Sequence, residues 1–150
     1  EIVSFDTDMV GPYGYCADIS RTFVCGNDFN KNQKSLYSMS LEQINHNSNL
    51  IKADMSFREF TEKSWKLPEE YYGNRYSVMV HGIGLCDEWP SIRYPTDGGD
   101  KSGRFLKNMT ITVESYIGKV GGKEGVKLEQ QYLVGENGLE LMSHHPLEDI

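Results

Sequence analysis

Three aspartates near the start of the chain are spaced so that their carboxylates would converge. Asp6 and Asp8 are two residues apart in an extended segment, where alternate side chains point to one face, roughly 7 Å apart along the strand. The Gly-Pro-Tyr-Gly turn over 11–14 folds the chain back and brings Asp18 nearly opposite Asp8. Because three like charges this close repel one another, the hairpin predicts either a site for an oxygen-preferring cation or a solvated acidic face.

Two glutamates and one histidine further along the chain add potential metal ligands. Glu114 and Glu129 each lie within a run of strand-forming residues, where a carboxylate is costly to bury unless it is paired or bound to a metal. His81 is followed by Gly-Ile-Gly, a pattern typical of a functional loop. One such glutamate alone would more often face solvent. Five carboxylates with one imidazole instead favour a site for two divalent ions that share carboxylates.

The hydrophobic pattern predicts the elements that position these side chains. Apolar residues at helical spacing predict a helix that ends near Ile51, and a serine followed three residues later by glutamate predicts a capped second helix over 56–66. Extended patterns predict strands over 77–81, 109–118 and 126–134, with a tight hairpin after the last one. This order of elements predicts an α+β fold in which helices cover one face of an antiparallel sheet.

Length and composition argue against several classes of protein. With 150 residues the chain is expected to form one domain, and its net charge of −7 argues against a nucleic-acid partner. No apolar run approaches the roughly 20 residues of a membrane span, so no membrane partner is expected. Three cysteines without metal-type spacing predict free thiols and a cytoplasmic location. The chain begins within an apparent strand without a methionine, which predicts that 1–150 form a catalytic domain whose upstream portion is missing.

The order of the acidic residues and the histidine resembles the ligand set of a known family. Aspartate, aspartate, histidine, glutamate and glutamate follow one another in this order in the pita-bread metallopeptidases, which include methionine aminopeptidases and prolidases. The most specific pieces are Tyr-x-x-Asp-Ile-Ser-Arg-Thr-Phe over 15–23 and His-Gly-Ile-Gly over 81–84. The resemblance covers nearly the whole chain. It implies the C-terminal part of a pita-bread fold, with a curved antiparallel sheet and helices on one face.

Two departures from the peptidase pattern change the function that the resemblance implies. Peptidases of the family carry a second histidine seven residues after the metal-bound one, whereas this chain has Glu88 there, or Asp87 if the Glu-x-Pro sequence is aligned instead. The first aspartate is doubled, as Asp6 and Asp8, where peptidases commonly have Asp-x-Gly. Both features resemble the DddP-type dimethylsulfoniopropionate lyases, which have the pita-bread fold but perform a β-elimination.

The resemblance to these lyases implies a ligand set, a metal and an assembly. Two divalent ions would be held by three aspartates, one histidine and two glutamates, namely Asp6, Asp8, Asp18, His81, Glu114 and Glu129. Iron is the implied metal, although an oxygen-rich site also accepts manganese, zinc or cobalt. The implied partner is a small-molecule substrate, and the protein is expected to be a homodimer.

The implied substrate is a sulfonium ion with a carboxylate at its other end, and its cleavage to dimethyl sulfide and acrylate needs a base. Asp87 is either the base or a loop residue that caps local backbone amides, and Tyr76 is a candidate proton relay. The nearest aromatic residues in sequence would either bind the sulfonium group through cation–π contacts or pack in the core or at its rim; they are Tyr76, Trp89 and Tyr94. Two alternatives stay open, an Xaa-Pro aminopeptidase or prolidase with a substituted loop, and a non-catalytic binding module that inherited the fold.

Overall fold

Within residues 1–99 and 101–147, which the computed structural model describes, the chain forms nine strands and three α-helices. The strands are β1 Ile2–Asp6, β2 Met9–Val10, β3 Cys16–Ala17, β4 Ser20–Val24, β5 Val78–Gly82, β6 Ser91–Arg93, β7 Thr110–Gly118, β8 Gly125–Val134 and β9 Leu139–Leu141. The helices are α1 Lys31–Leu50, α2 Phe57–Lys63 and α3 Glu69–Tyr72. A single 3-10 turn, Pro12–Gly14, joins β2 to β3.

A five-stranded sheet forms the centre of the molecule, with the strand order β6-β5-β7-β8-β9. Every neighbouring pair in it is antiparallel. Helix α1 packs across β7 and β8, and the hydroxyl group of Ser115 on β7 donates to Gln43 of α1 at 2.6 Å. Because side chains alternate along a strand, Glu114 points to the opposite face of the sheet from Ser115. The sheet therefore has one helix-covered face and one face that carries the acidic residues.

The first 24 residues form two short antiparallel ribbons, of which the β1–β4 ribbon lies against β8. Strand β1 pairs with β4, and β2 pairs with β3 in the register Met9 opposite Ala17. The next position in this register places Asp8 opposite Asp18, as the turn in the sequence predicts. The side chain of Thr22 connects the ribbon to the sheet, because its hydroxyl group donates to the carbonyl of Lys127 at 2.8 Å.

The boundaries of the helices follow local chemistry. Helix α1 begins after Asn30, whose side chain accepts from the amide of Gln33 in a reciprocal capping box. Helix α2 is capped by Ser56 as predicted, but it ends at Lys63 rather than near residue 66. Helix α3 was not predicted, because four residues after a proline are too few to show a helical period. No described helix is both long enough and apolar enough to cross a membrane.

Candidate metal centre

His81 is held in one orientation by the strand that carries it. It lies in β5 and is buried, and its Nδ1 donates to the carbonyl of Gly82 at 3.0 Å. That bond leaves Nε2 directed at the acidic side chains, where it donates to Oε1 of Glu129 when protonated and could bind a metal ion when deprotonated. Gly82 is needed at the next position, because a Cβ there would lie 2.1 Å from the carbonyl oxygen of Trp89. The imidazole is therefore fixed by close packing between β5 and the segment that leads into β6.

Glu114 and Glu129 face each other directly across β7 and β8. Each side chain is 1% exposed, and their Oε1 atoms lie 3.8 Å and 3.2 Å from Nε2 of His81. Two like charges directly opposite in a sheet destabilise it, more so when both are buried. This arrangement is stable only if cationic groups or protons neutralise the pair.

The N-terminal ribbons bring two further carboxylates to this pair of glutamates. Asp18 is buried, and its Oδ2 lies 3.6 Å from Nε2 of His81. Oxygen atoms of Asp8, Asp18 and Asp87 lie within 4.8 Å of one another. Asp87 is 34% exposed and has its Oδ1 4.0 Å from Nδ1 of His81. The amide of Cys16 donates to the carbonyl of Gly84 at 2.7 Å, a bond that connects the β2–β3 ribbon to the loop after His81.

Asp6 and an unpredicted lysine complete the cluster. The hydroxyl group of Ser20 bridges Asp6 and Glu129, at 2.9 Å from Oε2 of Glu129. Nζ of Lys127 lies 3.0 Å from Oδ2 of Asp6 and 2.8 Å from Oε2 of Glu114. Sequence reasoning missed Lys127, although its position two residues before Glu129 in one strand places both side chains on the same face. A lysine within a strand usually reaches solvent, whereas this side chain is 12% exposed.

The pKa values show how strongly these groups depend on added positive charge. Burial, and then the charge of Glu129, raise the pKa of Asp18 and that of Glu114 to about 8 each. Burial alone would raise the pKa of Glu129, but the hydrogen bond with His81 and the charge of Lys127 lower it to about 2. Burial alone would lower the pKa of His81, but the hydrogen bond with Glu129 and the charge of Glu114 raise it to about 9. Protons therefore supply charge that divalent ions would replace.

The donor set fits divalent metal ions. The buried oxygens Oδ1 of Asp18 and Oε1 of Glu114 have no hydrogen-bond partner among the described residues, although buried carboxylate oxygens are normally paired. Ligand atoms of Asp18, His81 and Glu129 lie within 4.8 Å of one another. Carboxylates with one imidazole suit iron, manganese, zinc and cobalt alike.

Of the predicted aromatic residues, Tyr76 lies beside Lys127 of the cluster, and Trp89 lies in the loop that follows His81. The ring of Tyr76 is 4.7 Å from Nζ of Lys127, and its hydroxyl group donates to Glu88 at 3.3 Å. Burial, with the charges of Glu114 and Glu88, raises the pKa of Tyr76 above its usual value, so the phenol stays protonated. Trp89 is 63% exposed and follows Glu88 in the loop that packs on β5.

The structure does not bring Tyr94 to the carboxylates. Its ring is buried in the hydrophobic core, and its hydroxyl group accepts from Gln43 of α1 at 2.5 Å. Gln43 also accepts from Ser115, on the helix-covered face of the sheet. Tyr94 therefore lies on the opposite side of the sheet from Glu114. The expectation that Tyr94 binds substrate is corrected accordingly, because proximity in sequence to His81 does not give proximity to the cluster.

A family model decides which proteins this chain is related to. The model of metallopeptidase family M24 matches residues 1–136. The chain belongs to metallopeptidase family M24. Members of this family act with divalent metal ions, and the cluster around His81 provides ligand types suited to such ions.

Two curated relatives cover almost the whole chain. The chain is 38% identical over 152 residues to "Dimethylsulfoniopropionate lyase DddP" of Roseovarius nubinhibens. It is 36% identical over 152 residues to the protein of the same name from Roseobacter denitrificans. Each match covers 99% of this chain and 34% of the relative, so the chain spans about a third of the length of these relatives.

Solved structures of the family share the fold. The prolidase from Pyrococcus furiosus matches with a TM-score of 0.74 and 29% identity, over 93% of this chain and 40% of that one. The prolidase from Pyrococcus horikoshii OT3 matches with a TM-score of 0.78 and 25% identity, over 99% of this chain and 42% of that one. These matches confirm the predicted α+β, pita-bread fold class.

Proposed function

We propose that this chain carries the catalytic centre of a lyase that cleaves dimethylsulfoniopropionate to dimethyl sulfide and acrylate. The main support is the position of Asp87. Its carboxylate lies beside His81 and has an oxygen within 4.8 Å of oxygens of Asp8 and Asp18. In peptidases of the family this part of the loop is expected to carry an imidazole. The two relatives named as lyases of this substrate, at 38% and 36% identity, support the same proposal.

The proposed metal ligands are the six predicted residues, which would hold two divalent ions, with iron as the proposed metal. These ligands are Asp6, Asp8, Asp18, His81, Glu114 and Glu129. When bound, the ions would supply Lewis acidity that withdraws electron density from the substrate carboxylate and acidifies the neighbouring C–H bond. The protein's part is to hold these ligands convergent, through the strand pairing of β7 with β8 and the hydrogen bond from His81 to Gly82.

Asp87 is the proposed general base. It takes the proton from the carbon next to the substrate carboxylate, and that electron pair forms the new C=C bond as the C–S bond breaks. Dimethyl sulfide leaves with the electron pair of the former C–S bond. The products are dimethyl sulfide, which is neutral, and the acrylate anion. The 34% exposure of the Asp87 side chain lets the captured proton return to solvent.

Tyr76 and Trp89 are proposed to act on the substrate rather than on the metal. Because its raised pKa keeps the phenol protonated, Tyr76 is a hydrogen-bond donor and a relay between Glu88 and bound substrate, not a base. The exposed indole of Trp89 offers a π face to the sulfonium cation, a contact of about 1–2 kcal/mol when desolvated. Tyr94 is left out of the proposed site because of its place under α1.

A proline-specific peptidase is the second candidate, favoured by the structural match to the Pyrococcus furiosus prolidase. In that reaction Glu114, a buried carboxylate beside His81, would be the general acid and base. Headspace measurement of dimethyl sulfide from the metal-loaded, full-length protein, beside hydrolysis of Xaa-Pro dipeptides, separates the two. We expect gas and acrylate without dipeptide hydrolysis. Dipeptide hydrolysis without gas would establish the peptidase instead.

We also propose that the full-length protein is a cytoplasmic homodimer acting on a small molecule. The free thiols of Cys16, Cys25 and Cys86 support a reducing compartment. The homodimer rests on the resemblance to the lyases. Light scattering of the full-length protein is expected to give twice the chain mass, and a monomer would contradict the proposed assembly.

A further inference from the structure

Lys127 is enclosed by three of the proposed metal ligands. Its Nζ lies 2.8 Å from Oε2 of Glu114, 3.0 Å from Oδ2 of Asp6 and 3.6 Å from Oε2 of Glu129. The ring of Tyr76 closes another side, 4.7 Å from the ammonium group. A lysine side chain carries an ammonium group at neutral pH, so these three carboxylates face a positive charge.

The two glutamates divide their oxygens between Lys127 and His81. Oε1 of Glu114 and Oε1 of Glu129 face Nε2 of His81, at 3.8 Å and 3.2 Å. Oε2 of each glutamate faces Lys127 instead. Asp6 is divided in the same way, with Oδ1 at Ser20 and Oδ2 at Lys127. Lys127 is therefore a cation that shares its carboxylates with the cluster around His81.

Distance and charge make an ammonium group and a divalent ion compete for these oxygens. A divalent ion binds carboxylate oxygens at about 2.0–2.2 Å, closer than the ammonium contacts of Lys127, so the two cannot occupy the same space between Asp6 and Glu114. Even without overlap, a positive charge a few ångström away in a buried site opposes a second cation. A divalent ion held beside His81 and Asp18 would be farther from the ammonium group of Lys127 than an ion held by Asp6.

We propose that Lys127 is an internal counter-cation that competes with the second divalent ion for Asp6, Glu114 and Glu129. It makes that ion bind more weakly than the ion beside His81, and it keeps the three carboxylates convergent when the second ion leaves. Lys127 is thus a positioning residue of the metal centre. This inference rests on the proposed ligand set and not on the lyase reaction.

The test is a titration of chelator-stripped, full-length protein with Mn²⁺ alone, at constant pH and ionic strength. The wild type is expected to bind one ion tightly and a second more weakly. In Lys127→Met, which keeps the stem but removes the charge, we expect the second ion to bind at least about tenfold more tightly. Lys119→Met is the matched control, because Lys119 forms an exposed ion pair with Glu70 and touches none of the ligands.

A second readout separates competition from a merely structural role. Without metal, Lys127→Met is expected to melt at a lower temperature than wild type, because it leaves buried carboxylates without a counter-charge. With Mn²⁺ it is expected to gain more in melting temperature than wild type does. Lys127→Gln, which keeps a hydrogen-bond donor, replaces it if the methionine variant does not fold.

Two outcomes would overturn the proposal. If the neutral variants bind the second ion as weakly as wild type or more weakly, Lys127 does not compete with it. If metal affinity is unchanged while KM for substrate rises, Lys127 binds substrate instead. Because the titration involves no turnover, failure of the lyase assay leaves its result unaffected.

Discussion

At the scale of single residues, Asp87 is the proposed base of the lyase reaction. It lies 4.0 Å from His81, and its side chain reaches both solvent and the acidic cluster. Asp87→Asn keeps the shape and removes the base, so we expect kcat for dimethyl sulfide release to fall by about 100-fold or more. Metal content should stay at the wild-type value. Asp28→Asn, an exposed acid beside Lys34, is the control, and full activity in Asp87→Asn would remove Asp87 from its role.

Tyr76 gives a second prediction at this scale. Tyr76→Phe removes the hydroxyl group that donates to Glu88 but keeps the ring beside Lys127. We expect kcat to fall by about tenfold, the value of one hydrogen bond, with unchanged metal affinity. Tyr13→Phe serves as control, because that ring is almost fully exposed on the 3-10 turn. Equal kcat in Tyr76→Phe and wild type would show that the phenol transfers no proton.

At the scale of elements, the loop after β5 packs closely against β5, and this packing fixes the orientation of the His81 imidazole. A Cβ at Gly82 would lie 2.1 Å from the carbonyl oxygen of Trp89, so Gly82→Ala must displace the loop or the strand. We expect a loss of about 1–3 kcal/mol in the free energy of unfolding, with lower metal affinity. Gly138→Ala, where an added Cβ meets nothing within 4 Å, should be close to neutral. Equal losses in both variants, measured by denaturant unfolding, would contradict this role for Gly82.

Much of this element-level arrangement could be predicted from the sequence. The alternation of side chains and the Gly-Pro-Tyr-Gly turn were enough to place Asp8 opposite Asp18, because register follows from a tight turn. The helical period and the capping residues located α1 and α2. The direct pairing of Glu114 with Glu129 was not predictable, since it depends on the register of β7 with β8.

The parts that sequence reasoning missed depend on tertiary packing. Lys127 shares a face of β8 with Glu129, but its burial depends on Asp6 from the N-terminal ribbon and Glu114 from β7, which the sequence does not place beside it. Tyr94 is close to His81 in sequence, but it packs under α1. The partners of Arg21 also depend on packing, because this side chain donates to backbone carbonyls, including that of Glu129 at 2.6 Å.

At the scale of the whole molecule, the cluster couples folding to pH. Asp18 and Glu114, with pKa values of about 8, and His81, with about 9, bind protons more tightly in the folded than in the unfolded chain. Their stabilisation is complete below the unfolded pKa values and is lost as pH rises through 8 to 9. Glu129, with a lowered pKa of about 2, adds stability above pH 4.5 that is lost as pH falls towards 2.

A melting experiment on the full-length protein tests this coupling. With chelator present, we expect the melting temperature to fall between pH 6.5 and pH 9. With Mn²⁺ present, the fall should be smaller, because bound ions replace the protons and bind more tightly at higher pH. Calorimetry in buffers of different ionisation enthalpy should show protons released on metal binding. A melting temperature that rises with pH in chelator would contradict the assigned pKa values.

The central claim is that six side chains from distant parts of the chain hold two divalent ions, and elemental analysis tests it most directly. For the full-length protein we expect two divalent ions per chain, with iron the main metal. Glu129→Gln changes the carboxylate that contacts His81, Ser20 and Lys127, and in this variant we expect less than one ion per chain. A wild-type protein without stoichiometric metal, or a variant that retains both ions, would contradict the account.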